Sequence, residues 1–195
     1  MSARPLAVYL ARHGETEWNR VGRWQGRTDI PLSDVGRAQA RALADRLRGR
    51  GIAEIHASDL SRAHETAHIV ATVLGITRLT SDPRLRERGF GIFEGLTREE
   101  CAERHPDAWQ RYLADRRSTP PDAEPQADVV ARIVAAMTAV AEAADHTGPL
   151  LVVSHGGAIR AFVHAITGAV PPPLANAAVF LAHFEAGRFV SVVPD

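Results

Sequence analysis

Two short apolar runs, Leu6–Leu10 and Leu150–Val153, each run into a histidine followed by glycine: Arg12-His13-Gly14 after the first, His155-Gly156-Gly157 after the second. Unbroken apolar runs of this length fit strands buried on both faces, as in a parallel sheet. Parallel strands need crossovers, and the chain supplies them. Ser33 is an N-cap residue and Asp34 suits a positive helix end. Val35, Ala38, Ala42, Leu43 and Leu47 then recur at helical spacing up to Gly49 and Gly51. Ile52–Ala57 reads as a second strand. Ser58 and Asp59 stand in capping positions before a helix with Leu60, Ala63, Ala67, Val70 and Leu74 on one face, stopped by Gly75. Thr77–Thr80 reads as a third strand.

Thr97 and Glu100 form a capping box, and the helix they start is broken at Pro106. Arg116–Gln126 contains Pro120, Pro121 and Pro125 and reads as a surface loop. Val130, Ile133, Val134, Met137, Val140, Ala141 and Ala144 mark a long amphipathic helix. A helix opens at Gly156 and runs to about Thr167; Pro171–Pro173 is a stiff linker; Ala178–Phe184 and Phe189–Val193 form a closing hairpin. The expected fold is α/β: a three-layer sandwich with a mostly parallel central sheet, helices on both faces and a small helical cap inserted at about 90–127. Residues 1–195 are expected to form one domain.

Composition narrows the function. The chain has 195 residues, 45% of them hydrophobic, enough for a large core. Its formal net charge is zero, which argues against nucleic acid as a partner. Every basic residue is arginine, so phosphate loops and Schiff bases that depend on a lysine amine are excluded. The single Cys101 allows no internal disulfide and points to a reducing, cytoplasmic setting. The N-terminal apolar run is too short for a signal peptide or a membrane span, so no membrane partner is expected. The hairpin and the Pro171 linker offer a surface for a homodimer.

In open sheets of this kind ligands bind beyond the carboxyl ends of the strands. That edge should gather Arg12 and His13, Ser58 and Arg62, the Arg84–Arg88 segment with Glu87, and His155. Arginine binds phosphate oxygens bidentately and is always charged. The helix opening at Gly156 offers free N–H groups and a positive dipole end. A neutral imidazole can attack phosphorus, splitting one displacement into two. Glu87 can protonate the leaving alkoxide if its acid form is favoured, then serve as base for water. Arginine and histidine charges take the place of a metal, and no cofactor is called for.

Ala11–Thr16 (ARHGET) resembles the defining Arg-His-Gly motif of the histidine phosphatase superfamily, phosphoglycerate-mutase-like branch. Trp18-Asn19, Gln25-Gly26 and Pro31–Ala40 match the segments that follow it. Ser58–Ala67 resembles the second arginine motif, Leu85–Leu96 the acid/base segment, and Val152–Ala161 the second histidine motif. The resemblance implies that His13 is the phosphorylated nucleophile, that Arg12, Arg62 and His155 form the phosphate pocket, and that Glu87 is the proton donor. It also implies substrate contacts at Asn19, Gln25 and Gly26, and the expected substrate is a small-molecule phosphomonoester. The family contains phosphatases and mutases. The mutases carry a longer insertion before the long helix, Tyr where this chain has Phe90, Lys where it has Arg98, and Asn where it has Gly157, so a phosphatase is favoured. Arg116-Arg117 resembles a mutase substrate pair and keeps the cofactor-dependent mutase as the alternative. Glu124 only partly matches the Gly-Glu-Ser of smaller phosphatases.

Other readings compete. Arg12-His13 alone could be a solvent-facing strand end, Glu87 between Arg86 and Arg88 a solvated charge run, Arg62 an exposed helix residue, and His155 a helix cap. His64-Glu65-Thr66-Ala67-His68 is the H-E-x-x-H pattern of zinc proteases, but no third ligand follows at the needed spacing. A catalytically silent phosphate-binding module is a further alternative. His56, His105, His146, His164 and His183 are expected to be structural or on the surface, Cys101 to be inert packing, and Trp18 and Trp24 either to line the rim or to pack the loop.

Overall fold

The two histidine-terminated runs become neighbours at the centre of the sheet. In the computed structural model, which describes residues 5–145 and 147–195, β1 (Leu6–Arg12) pairs in parallel with β4 (Leu150–Ser154). His146 and residues 1–4 lie outside the described residues. The register sets Arg12 opposite Ser154, so His13 and His155 leave the sheet side by side. β2 (Glu54–Ala57) joins the other edge of β4, and β3 (Leu79–Ser81) joins β2, both in parallel. β5 (Val179–Glu185) and β6 (Arg188–Pro194) form the closing hairpin, antiparallel on β1. The order is β3-β2-β4-β1-β5-β6, a mixed six-stranded sheet whose parallel part carries the site.

Seven α-helices accompany it among the described residues. α1 (Glu17–Arg20) is one turn in the first loop; α2 (Asp34–Leu47) and α3 (Ser61–Leu74) cover one face. α4 (Arg98–Arg104) and α5 (Pro106–Ala114) form the cap, divided at Pro106, and α6 (Gln126–Ala143) and α7 (Gly156–Thr167) cover the second face. Alternate residues of one strand serve opposite layers. Val8 and Leu10 pack with Ile133, Met137 and Phe162, while Tyr9 and Ala11 pack with Leu43, Ala67 and Val70. The cap has its own small core of Phe93, Cys101, Trp109 and Tyr112. Trp24 reaches into it from the first loop, with its ring 4.6 Å from Phe90. Burial there pushes the Cys101 thiol up to about 11, which suits inert packing.

Two expectations about helices are corrected. On α2 the buried positions are Gly36, Ala40, Leu43, Ala44 and Leu47, whereas Val35, Ala38 and Ala42 face water. The helix is turned so that Gly36 meets the loop after β1. A Cβ on Gly36 would collide with the Glu15 carbonyl, and one on Gly14 with the Gly36 carbonyl. Gly14 is therefore needed for close approach of two backbones. At α3, Ser58 and Asp59 do not cap the helix, whose N-cap is Leu60. Asp29, far away in sequence, accepts from the Ser61 N–H (2.7 Å) and hydroxyl (2.8 Å) instead.

Candidate active site

The floor is assembled from backbone outward. His13 N–H donates to the Ser154 carbonyl (3.0 Å), tying the loop after β1 to the end of β4. The His13 ring is fixed by its Nδ1, 2.6 Å from the Gly14 carbonyl. A carbonyl can only accept, so Nδ1 carries the proton and Nε2 keeps its lone pair. Gly14 is held in turn: its N–H donates to Thr66 Oγ1 (3.0 Å), which donates to the Arg62 carbonyl (2.7 Å). Thr66 thus couples the loop after β1 to the helix that brings Arg62.

Arg62 is completely buried, with Nη1 donating to the Thr28 carbonyl (2.9 Å) and Nη2 to that of Gly26 (2.8 Å). The 26–28 segment is braced by Glu94. Its carboxylate accepts from Arg27 N (3.1 Å), Thr28 N (3.1 Å), Thr28 Oγ1 (2.8 Å) and Phe90 N (2.8 Å). The His13 and His155 rings lie 5.1 Å apart, tilted by 59°. Arg12 donates to the Leu174 carbonyl, fastening the proline linker to the floor. What remains is a set of buried polar atoms with no protein partner among the described residues: Nε of Arg12 and Arg62, and both ring nitrogens of His155. Native proteins pair such atoms, so this cluster marks a place for a polar ligand.

Burial is the main influence on protonation. It pushes His13 and His155 well below the usual imidazole range, and the nearby Arg62 and Arg12 reinforce this, so both rings are neutral at neutral pH. Burial also brings Arg62 down to about 10, still a cation at neutral pH, and lowers Arg12, with Glu87 opposing both shifts.

Glu87 reaches the pocket, but by a route the sequence does not suggest. Its carboxylate accepts from Gly157 N (2.7 Å), Ala158 N (2.9 Å) and Arg88 N (2.8 Å). The N-terminal N–H groups of α7, expected to be free for phosphate, are thus partly taken by Glu87. Gly157 makes this possible, since a Cβ there would lie 2.5 Å from Glu87 Oε1. The Glu87 backbone is pinned by Arg132 of α6, which donates to the carbonyls of Arg84 (2.9 Å), Arg86 (2.6 Å) and Glu87 (2.9 Å). Arg132 is itself held by Glu124 at 2.7 and 2.8 Å. Arg84 and Arg86 stay outside the pocket, paired with Asp82 and Asp59.

Asn19 lines the cavity beside His13, with Gln25 and Gly26. Its Oδ1 accepts from Thr16 N (3.1 Å) and Asn176 Nδ2 (3.2 Å), which leaves its NH2 group for a ligand. The cavity of about 1040 Å³ is lined by Trp24, Tyr112 and the linker, with the exposed Arg98, Arg116 and Arg117 at its mouth and the half-buried Arg160 on its wall. His64 and His68 are exposed on α3 and do not line this cavity, and no trio of possible metal ligands occurs among the described residues. Trp18 packs near Gly95; Trp24 both packs the cap and lines the rim. Thr66, Glu94 and Arg160 lie within the matched segments without a role that the sequence assigns, and Arg132 and Asn176 lie outside those segments. Only their contacts, long-range in the chain, reveal them.

Fold and floor together are those of an α/β protein with a buried cluster of guanidiniums and imidazoles at the carboxyl edge of the parallel part of its sheet. The chain belongs to the histidine phosphatase superfamily (branch 1), whose model matches residues 8–193. It is 38% identical over 170 residues to a probable phosphoglycerate mutase, GpmB, of Yersinia pestis, covering 84% of this chain and 75% of that one. Among solved structures it is similar to a mycobacterial glucosyl-3-phosphoglycerate phosphatase complexed with VO3, at 31% identity and TM-score 0.83, covering 99% of this chain and 98% of that one. It is also similar to a phosphoglycerate mutase from Bacillus anthracis, at 27% identity and TM-score 0.88, covering 100% and 94%. Relatives of this kind are phosphatases or mutases, and an enzyme of phosphatase or mutase type is the coarse assignment. No helix among the described residues is long and apolar enough to cross a membrane.

Proposed function

We propose that the protein is a metal-independent phosphomonoesterase that hydrolyses small phosphorylated metabolites through a phosphohistidine on His13. The observation that carries this is the buried floor: a neutral imidazole whose Nδ1 is turned to the Gly14 carbonyl and whose Nε2 keeps its lone pair, beside two guanidiniums and a second neutral imidazole with buried polar atoms that have no partner among the described residues. A phosphoryl group placed there receives donors from Arg12, Arg62 and His155. Nε2 of His13 attacks phosphorus as the ester P–O bond breaks. The departing alkoxide takes a proton from Glu87, and water attacks the phosphohistidine in the second step with Glu87 as base. Glu87 is held for this role by the three N–H bonds that its carboxylate accepts from Arg88, Gly157 and Ala158.

The test is hydrolysis of p-nitrophenyl phosphate with a chelator present, together with trapping of the phosphoenzyme. Turnover should persist in the chelator, and a base-stable, acid-labile phosphate should map to His13. Activity retained in His13→Ala, or lost on chelation, overturns the reading. The cofactor-dependent mutase is the second reading, favoured by Arg98, Arg116 and Arg117 at the mouth and by the GpmB similarity. Conversion of 3-phosphoglycerate to the 2-isomer, stimulated by bisphosphoglycerate, would select it.

A further inference from the structure

Glu87 is held at both ends. Its carboxylate rests on the first N–H groups of α7, and its main chain rests on the side chain of Arg132. Residues 86–89 belong to no helix or strand, so no backbone ladder fixes where that carboxylate starts from. Arg132 supplies the anchor. It stands in the second turn of α6, between the buried Val129 and Ile133. A guanidinium has five N–H donors, and here all five are committed. Nη1 donates to the carbonyls of Arg84 (2.9 Å) and Arg86 (2.6 Å), Nη2 to the Glu87 carbonyl (2.9 Å) and Glu124 Oε2 (2.8 Å), and Nε to Glu124 Oε1 (2.7 Å). Arg12 and Arg62 each keep an unpartnered Nε at the floor; Arg132 keeps none. It is a clamp and not an anion receptor.

Glu124 comes from the opposite side, on the loop after α5. Its two oxygens meet the Arg132 fork as a bidentate pair. The two side chains are only 16% and 12% exposed, where solvent screening is weak. Its other cation, Arg27, is 44% exposed and contributes less. The Glu124 main chain faces the same segment: its N–H donates to the Gly89 carbonyl (2.9 Å), and its own carbonyl accepts from Arg88 Nε (2.8 Å). The stretch around Glu87 is thus gripped by α6 at residues 84–87 and by the cap loop at 88–89. Glu87 lines the cavity, whereas Arg132 and Glu124 do not.

We propose that Arg132 and Glu124 are positioning residues for Glu87: the pair fixes its main chain so that the carboxyl group stands where it can protonate the leaving oxygen. Neither touches the substrate, and both act through Glu87 alone. This rests on the hydrolase reading above and extends its proton-transfer machinery from the pocket to α6 and the cap loop.

The experiment compares, in the full chain, kcat/KM for ethyl phosphate, whose alkoxide needs a proton to leave, with kcat/KM for p-nitrophenyl phosphate, whose phenolate hardly does. The ratio of the two reads the acid and cancels any loss of folded protein or of phosphate binding, which falls on both esters alike. Glu87→Gln sets the full effect. Arg132→Met should lower the ratio by roughly tenfold or more, within the order of 10²-fold that a misplacement of about 1 Å costs. Glu124→Gln keeps the side-chain shape and breaks one arm of the fork. It should lower the ratio less, in the same direction, and it carries the test if Arg132→Met does not fold. In the Glu87→Gln background Arg132→Met should change the ratio no further, because a clamp that acts through one residue has nothing left to act on. A ratio unchanged in both single variants overturns the proposal. So do equal losses on the two esters, or a fall in the ratio that persists undiminished in the Glu87→Gln background. Failure of the natural protein to hydrolyse p-nitrophenyl phosphate would strike the hydrolase reading, and an unaltered ratio in Glu87→Gln would strike Glu87 as the acid; either removes the ground on which the positioning role stands.

Discussion

Arg62 and Arg98 line the same cavity under opposite conditions. Arg62 is wholly buried at the floor, with its Nη atoms committed to two carbonyls and Nε unpartnered. Arg98 is exposed in the first turn of α4, at the mouth. A buried cation without a carboxylate costs stability, while an exposed one costs little. The floor therefore keeps, at the expense of the fold, charges that are useful only when an anion arrives. The mouth can vary its charges almost freely. Chemistry fixed at the floor and selectivity set at the mouth would explain how one fold serves relatives named as mutases and as phosphatases.

The sharpest way to break this contrast is Arg62→Met. Loss of a preorganised cation at the phosphate should lower kcat/KM by roughly 10²–10³-fold. The same change removes an incompletely paired buried charge, so the free protein should melt at the same or a higher temperature. A thermal melt and p-nitrophenyl phosphate kinetics on one sample decide it. A clear drop in melting temperature would mean that Arg62 is chiefly structural. A smaller effect tests the Glu87 support. Gly157→Ala forces the Glu87 carboxylate away from the α7 N-terminus. Turnover of alkyl phosphates should fall by about 10²-fold, the lower end of general acid–base contributions. p-Nitrophenyl phosphate needs little protonation of its leaving group and should lose much less. Equal losses would remove Glu87 from the acid role.

A third effect is read as stability. His13 and His155 titrate well below 6.5 in the folded chain, chiefly through burial. Below that ordinary value the unfolded chain binds protons that the folded floor refuses. Stability is therefore fully present above about pH 6.5 and falls as the pH drops, by at most about 1.4 kcal/mol per pH unit for each histidine. Denaturant unfolding between pH 6.5 and 4.5 should show the decline, and His155→Asn should make it shallower. An unchanged slope in that variant would mean that His155 does not stay neutral in the fold.

The floor was legible in the sequence because its residues sit at fixed offsets from strand ends, and strand ends are set by local apolar runs. Arg12, His13, Arg62 and His155 all follow from that rule. What escaped the sequence depends on partners remote in the chain. The exposed face of α2 was misread because Val35, Ala38 and Ala42 keep a helical period, while the actual orientation is set by Gly36 meeting the Glu15 backbone. Asp29 at the start of α3, Glu94 beneath the 26–28 segment and Glu124 with Arg132 behind Glu87 are each polar groups whose role appears only when distant segments meet. His164 was expected to be structural or on the surface and instead lines the cavity, because two turns of α7 form its wall.

The smallest expected effect lies at the mouth. Arg98 has no carboxylate partner among the described residues, and its side chain is exposed, so Arg98→Ser should leave the melting temperature within about 1–2 °C, as surface substitutions do. A solvated charge acts on substrate through screened attraction, so kcat should change little while KM for an anionic phosphomonoester rises a few-fold. The rise should shrink as salt is added from 20 to 200 mM, because the Debye length falls toward contact distance (roughly 10 Å near 0.1 M). Arg62→Met should show much less relief, since a buried charge is screened far less than an exposed one. If the Arg98 effect proves independent of salt, Arg98 makes a direct, desolvated contact with substrate, and the line between floor and mouth must be drawn farther out along the cavity.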